Sequence, residues 1–448
     1  MNTLPRPPLA RGLPLLGSGL ALARGPEHAL TRMHQQLGPV FRFKTPLINA
    51  VCLAGPEANA FANGEGKDVL ESKTFWAPLA EALDSPNALV ALDGEPHRQL
   101  RKILKPAFGR DRIDRHIPEL SAMIRQQFDA YHEGDDIPFV FASQKMTSNI
   151  VGYLMMDTIP DDRELTEFFE YANTLTVWLS VLRLPAKAMH LAKGARFKRA
   201  STISWQLIDR AVDKALTETH SRPLLPNIMA EARQHHPALF TDGDIRGSGF
   251  LSFFAGIDTV GQTLVFMLWE LLRNPAALAE VQAEVDAAFA QGEPDADTLA
   301  TGLPLCRNTF LETLRLHPTA FGIMRNAACD FDFNGYRILQ GENVLLYTTA
   351  CHRDAKYFEQ PDAFDIHRHD AARETARPRH VFVPFGRGAH TCAGAAWAEA
   401  QAVLMMATLL RHYRFELPHR MADAKIAMRT TPTLGKRFRI RLAEKRRA

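Results

Sequence analysis

The chain has 448 residues, 46% hydrophobic and 23% charged, and carries a formal net charge of +3 at pH 7. That near-neutral balance excludes the strong basic excess of a dedicated nucleic-acid binder, and the length permits a core large enough to enclose a sizeable ligand. The cysteines Cys52, Cys306, Cys329, Cys351 and Cys392 are scattered without a CxxC pair, which excludes a disulfide scaffold, a zinc ribbon and a cysteine-bound iron–sulfur cluster and fits a reducing compartment.

Along the chain, an apolar stretch spans 13–23, but Pro5, Pro7, Pro8 and Pro14 break any continuous helix and Gly12, Gly17 and Gly19 add flexibility. The start therefore reads as an extended lead-in, not a signal peptide or membrane anchor. Residues 40–53 form two β-prone runs split by Thr45-Pro46, a predicted hairpin. A helix is predicted over 95–108, with Lys102 and Lys105 on its outer face. Two amphipathic helices, 162–183 and 195–216, meet around Pro185. Residues 242–272 predict a helix of about thirty residues, opening at a Thr241-Asp242 cap and stopping before Asn274-Pro275. It is apolar almost all round, but Asp258 and Gln262 interrupt it, which favours a protein interior over lipid.

Further helices are predicted over 276–290 and 303–316. Residues 331–346 alternate and carry the turn signals Asn334-Gly335 and Gln340-Gly341, so short strands are expected there. Helix returns over 395–413, and 430–442 reads as a final small hairpin. The whole is read as mainly α with a minor β part (α+β). It forms a single domain over 1–448, with 1–38 as the proline-rich lead-in and first helix.

Chemistry concentrates near the C-terminus. Cys392 lies in the glycine-rich loop Phe385-Gly386-Arg387-Gly388-Ala389-His390-Thr391-Cys392-Ala393-Gly394, just before a helix. Glycines let the backbone approach a flat ligand, and a helix N-terminus favours thiolate. This pattern, Phe385-x-x-Gly388-x-His390-x-Cys392-x-Gly394, resembles the haem-binding loop of the cytochrome P450 family, His390 being a variant common in its soluble bacterial members. Two further segments resemble the family in the right order. Glu312-Thr313-Leu314-Arg315 is similar to its ExxR helix, with Arg368 after Pro361-Asp362-Ala363-Phe364 supplying a second arginine. Ala255-Gly256-Ile257-Asp258-Thr259 resembles its oxygen-activation motif on the long central helix.

The resemblance implies a P450-like fold with the long helix over the haem, and Cys392 as the axial thiolate ligand of the iron in haem b. It implies that Glu312, Arg315 and Arg368 form a buried ionic network. His97, Arg101, Arg325 and His390 would bind the propionates. Asp258 and Thr259 would relay protons to dioxygen, the Thr hydroxyl bonding back to a carbonyl one turn earlier. A low-polarity substrate pocket would include Phe75, Trp76, Phe254, Ala255, Phe321 and Thr431, suiting a terpenoid, steroid or fatty-acid-like molecule. Electrons from NAD(P)H would arrive through a separate ferredoxin or flavodoxin with its reductase, docking on Lys102, Lys105 and Arg387. The protein is expected to be a cytoplasmic monomer. Two other readings stay open: a peroxide-driven or rearranging member of the family, and a haem-thiolate sensor without turnover.

Overall fold

The computed structural model describes residues 4–184, 186–290, 292–428 and 430–446. The lead-in is pinned to the first strand: Ala10 N–H donates to the Arg42 carbonyl and Arg42 N–H to the Pro8 carbonyl, both at 2.7 Å. Prolines suit this position, because they fix φ and offer carbonyls without needing a partner for an N–H. Leu13 and Gly17 then close a turn, and the helices Gly19–Arg24 and Pro26–Leu37 follow.

The predicted hairpin is present as the antiparallel strands Val40–Lys44 and Asn49–Ala54. In the turn between them, the Thr45 hydroxyl accepts the Ile48 N–H at 2.9 Å. Asn49–Ala54 pairs in parallel with the distant strand Asn343–Tyr347. That strand pairs antiparallel with Ile323–Ala327, which is edged by Leu70–Glu71, completing a five-stranded mixed sheet. The turn signal Asn334-Gly335 joins Phe331–Phe333 to Tyr336–Ile338, both turn residues having positive φ (47° and 78°), as a tight hairpin turn requires.

The long helix runs from Asp242 to Arg273. Thr241 and Asp244 cap it reciprocally: Asp244 N–H donates to the Thr241 hydroxyl (3.0 Å), and the Asp244 carboxylate accepts the Thr241 N–H (2.9 Å). Among the described residues it is the one helix long and apolar enough to cross a membrane, yet most of its apolar window is buried within the fold. The run Leu264–Leu268 is wholly buried. Five consecutive helical residues cover every face, so this segment is enclosed all round. It packs against the helices Phe139–Val151, Ala395–His412 and Pro304–Leu316. One hydrophobic cluster extends from Leu79 to Leu442.

Several predicted bounds shift for local reasons. The helix expected over 95–108 is Gly94–Leu104 followed by a tighter 3₁₀ turn, Lys105–Phe108, where Pro106 lacks an N–H. The one over 162–183 is Asp162–Thr176, capped by Asp161 and Glu164, and it widens into a π turn at Val177–Val181. Helical structure extends over Ala186–Thr217 but breaks at Gly194 (φ 65°, ψ −160°), so a separate rod does begin near Ala195. The predicted joint at Pro185 lies outside the described residues.

The final hairpin over 430–442 is not formed. Pro432–Thr433 pairs backward with Ala427–Met428. Ile440–Lys445 is instead the middle strand between Asp136–Ile137 and Tyr413–Glu416. Ile440 and Leu442 are fully buried, and the distant strands, not the local turn, provide the partners that cover them.

Candidate active site

The cysteine loop is held by its own backbone. Cys392 N–H donates to the Phe385 carbonyl (3.0 Å), Gly386 N–H to Val383 (3.0 Å) and Thr391 N–H to Gly388 (3.1 Å). Gly386 and Gly388 have φ of 70° and 92°. A Cβ at Gly388 would lie 2.2 Å from the Ala62 carbonyl oxygen, and one at Gly386 2.6 Å from Ile323 Cδ1. The positive φ therefore demands glycine at both positions, and at Gly388 the backbone clash demands it as well. Directly after Gly394 the helix Ala395–His412 begins. Cys392 opens into a cavity of about 420 Å³. Burial raises its thiol pKa above the ordinary value, while the Gly394 N–H and nearby Arg101 pull the other way.

His97, Arg101, Arg325 and His390 all line this cavity. The His97 and His390 rings lie 4.0 Å apart between centroids. His390 Nε2 is 3.0 Å from Asp93 Oδ1, and the Asp93 carboxylate also accepts the Ser72 and Lys73 N–H groups. His97 Nε2 is buried without a hydrogen-bond partner. Its pKa is pushed down to about 4 by burial, then by His390 and Arg101. Burial likewise lowers Arg325 to about 10. A buried guanidinium and an orphaned ring nitrogen call for an anionic partner.

Elsewhere the wall is mostly apolar, with Trp76, Leu79, Leu251, Phe254 and Val260 beside a few hydroxyl side chains. The set fits an iron porphyrin. A sulfur ligand faces the space, donors are ready for two carboxylates, and apolar side chains suit a flat macrocycle. A cation at the sulfur also reverses the burial cost of thiolate.

On the long helix, Ala255, Gly256 and Thr259 face the same cavity. The Thr259 hydroxyl donates to the Ala255 carbonyl at 2.7 Å, the back-bond expected from sequence. Asp258 does not share that space. Its carboxylate accepts Gln144 Nε2 (2.8 Å) and the Thr431 hydroxyl (2.6 Å), with Gln262 Nε2 at 3.4 Å. It lines a second cavity of about 380 Å³ with Gln144, Asn173 and Thr431.

Three expected pocket residues lie elsewhere. Thr431 is bound to Asp258 in the second cavity. Phe75 is buried beneath the Arg183 guanidinium, 4.5 Å from its ring; neighbouring helix positions project about 100° apart, so it is Trp76 that reaches the cavity. Phe321 packs beside Tyr347 on the sheet and its carbonyl accepts the Thr349 hydroxyl, leaving Ile323 to meet the cavity.

Glu312, Arg315 and Arg368 do converge. Arg315 grips Glu312 with two bonds of 2.8 Å, and Arg368 Nε donates to the same carboxylate at 2.9 Å. Arg315 further donates to the carbonyls of His352, Pro361 and Ala363. Although burial raises the Glu312 carboxyl, its bonds to Arg315 and His369 and the two arginine charges outweigh that and hold its pKa at about 2. This network abuts the cysteine loop through Phe310, whose ring lies 6.3 Å from that of Phe385.

Sequence reasoning missed three members. His369 Nε2 lies 3.2 Å from Glu312, and its position directly after Arg368 was the available signal. Asp93 carried one too, as a carboxylate beside the helix that bears His97. Gln144 carried none, because only tertiary packing brings it to Asp258.

The comparisons agree with this geometry. A profile of the family described as Cytochrome P450 matches residues 7–437. The chain is 26% identical to a sterol 14alpha-demethylase of Mycolicibacterium vanbaalenii, over 88% of this chain and 87% of that protein. It is 28% identical to cytochrome P450 26C1 of Homo sapiens, over 96% and 87%. The structure of retinoic acid bound cyanobacterial CYP120A1 superposes with a TM-score of 0.84 at 23% identity, covering 98% of this chain and 99% of that one.

Proposed function

This chain belongs to the cytochrome P450 family, whose members are haem-thiolate monooxygenases, and from that premise we propose that it inserts one oxygen atom from O2 into a lipophilic terpenoid, steroid or fatty-acid-like substrate. The observation that carries the reading is that Cys392 opens into a largely apolar cavity whose charged and imidazole groups are gathered in one cluster, His97, Arg101, Arg325 and His390. The names of its relatives point the same way: one is a sterol demethylase and another holds retinoic acid, both lipophilic ligands.

In this reading Cys392 holds the iron of haem b, and the four cationic or donor side chains hold its propionates. The bound haem supplies dioxygen activation, with the thiolate donating electron density. The remaining tasks fall to the chain. Thr259, its hydroxyl anchored on the Ala255 carbonyl, presents an oxygen at the cavity wall that can accept and pass a proton. Asp258 lies on the far side, and its carboxylate must leave Gln144 or Thr431 to exchange a proton with Thr259. Trp76, Phe254 and Ala255 exclude water and orient the substrate. Phe75, Phe321 and Thr431 play no part in that pocket.

Lys102, Lys105 and Arg387 are exposed and form no ion pair with another described residue, which supports docking of an acidic ferredoxin or flavodoxin that relays electrons from NAD(P)H. We propose that the enzyme works in the cytoplasm as a monomer, and the hydrophobic cluster running from Leu79 to Leu442 supports reading that span as one domain. The test is an optical titration of the purified ferric protein with terpenoids, steroids and fatty acids. A low-spin to high-spin shift with one class names the substrate family. Conversion by peroxide alone, with no need of a reductase, would overturn the monooxygenase route.

A further inference from the structure

One turn beyond Asp258 on the long helix stands a polar side chain whose bonding is incomplete. Gln262 is only 3% exposed. Its Nε2 donates to Asp258 Oδ1 at 3.4 Å, while its Oε1 is buried without a hydrogen-bond partner. Turning the amide over would set its oxygen against the carboxylate, so the orphan is the acceptor. Gln262 lines the second cavity, of about 380 Å³, beside Asp258. A buried acceptor left open costs stability until a donor completes it.

The neighbouring polar groups are committed elsewhere. Asn173 accepts the Thr430 hydroxyl at 2.5 Å and donates to the Phe169 carbonyl at 2.9 Å. The Thr431 hydroxyl and the Gln144 amide both donate to Asp258.

The rest of the cavity specifies what completes Gln262. Its volume suits a small organic molecule. Val140, Phe169 and Trp178 give it a buried apolar wall. Lys193 and Lys436 also line it but are exposed, so they mark its mouth, and neither makes an ion pair with another described residue. Glu170, the other carboxylate of the wall, is taken by Arg196 at 3.2 Å. Two free cations at the mouth select a carboxylate. The neutral oxygen at the base selects a neutral hydroxyl, and the apolar wall selects a hydrocarbon chain between them. An ammonium at the base would have to pass both lysines and be stripped of its water.

We infer that the second cavity is a binding site for a medium-chain carboxylic acid with a hydroxyl at its far end, the hydroxyl donating to Gln262 and the carboxylate held at Lys193 and Lys436. The site is separate from the substrate pocket. Its effect on turnover rests on the reaction and relay proposed above: an occupant beside the Asp258 clamp keeps that carboxylate on Gln144 and Thr431, away from Thr259. A fatty acid that has gained an oxygen at its far end has this form, so occupancy restrains the enzyme as such a product accumulates.

The test is isothermal titration calorimetry of the ferric holoprotein with ω-hydroxydecanoic acid, the haem iron first saturated with a bulky azole that closes the Cys392 cavity. Binding at one site per chain is expected. Decanoic acid, which lacks the hydroxyl, should bind about tenfold more weakly. Lys193→Glu with Lys436→Glu should weaken the hydroxy acid by about tenfold as well. Thr174→Trp, which fills the cavity from the helix Asp162–Thr176, should abolish binding, with an unchanged ferrous–CO spectrum showing that both variants are folded. No binding by wild type, equal binding of the two acids, or full binding by Thr174→Trp overturns the site and leaves the cavity to water. Tighter binding of ω-aminodecanoic acid overturns the hydroxyl assignment. In turnover, saturating ω-hydroxydecanoic acid should lower product formed per NAD(P)H in wild type but not in Thr174→Trp; binding without that fall overturns the restraint on Asp258. An azole that leaves the Soret band unmoved would count against the haem reading, and not against this site.

Discussion

Asp258 and Thr259 are neighbours in the chain but face different spaces. The Thr259 hydroxyl lines the Cys392 cavity, while the Asp258 carboxylate is turned into a second cavity, clamped between Gln144 and Thr431. A proton passing from one to the other must therefore cross the wall of the long helix, by a swing of the Asp258 side chain. Thr259→Ala should leave substrate binding intact but uncouple it, so that product formed per NAD(P)H consumed falls and peroxide rises. Full coupling in the variant would refute the relay.

The clamp itself is testable. Thr431→Val removes one charge-assisted hydrogen bond, worth about 1.5–3 kcal/mol to the buried carboxylate. With Asp258 freed on one side, the rate and the solvent isotope effect on turnover should both change, while the spin-state response to substrate should not. A substrate-binding change without a kinetic one would return Thr431 to the substrate pocket.

Cys392→Ser should abolish the thiolate-type absorbance of the ferrous–CO complex while leaving the helical circular dichroism in place. An unchanged spectrum would remove Cys392 from the iron.

Glu312→Gln leaves Arg315 and Arg368 buried without their counter-charge. The expected loss is about 3–5 kcal/mol of stability, read as a lower urea midpoint and weaker haem retention. A midpoint within error of wild type would mean that the backbone carbonyls around Arg315 suffice.

Acid stability follows from a second member of this region. His352 is fully buried, and burial, then the nearby Arg315 charge, pushes its pKa from 6.5 to about 3. The unfolded chain takes a proton that the folded state refuses. Stability therefore falls as pH drops below 6.5, by about 1.4 kcal/mol per pH unit for this one group. The decline continues until the folded value is reached. Glu312, held at about 2 against an ordinary 4.5, adds a further loss once pH passes below 4.5. Urea midpoints between pH 7 and pH 5 should show the histidine slope, and His352→Gln should reduce it, leaving the part due to His97, held at about 4.

What could be read from the sequence was what is local. The cysteine loop and the Glu312/Arg315 pair are spaced by a turn and a helix pitch, so residue order alone brings them together. The same holds for the Thr241 cap, the Asn334-Gly335 turn and the Thr259 back-bond. What failed required long-range partners. Ile440–Lys445 alternates like half a local hairpin, but its covering strands are Asp136–Ile137 and Tyr413–Glu416. Phe321 and Thr431 are near cavity-lining segments in sequence, and packing turns them toward Tyr347 and Asp258. Neither destination leaves a mark in the neighbouring residues.

The parallel pairing of Asn49–Ala54 with Asn343–Tyr347 has a consequence for biosynthesis. The N-terminal hairpin leaves the ribosome long before the strand that covers its open edge. At about 5–20 residues per second, the interval between Ala54 and Tyr347 is roughly 15–60 s. Throughout it, the strand carrying Val51, Cys52 and Leu53, all fully buried in the finished protein, presents unpaired backbone and apolar side chains. Such an edge templates intermolecular pairing, so recovery of soluble protein should depend on chaperone supply, and fall as translation slows, more than it depends on the final stability of the fold.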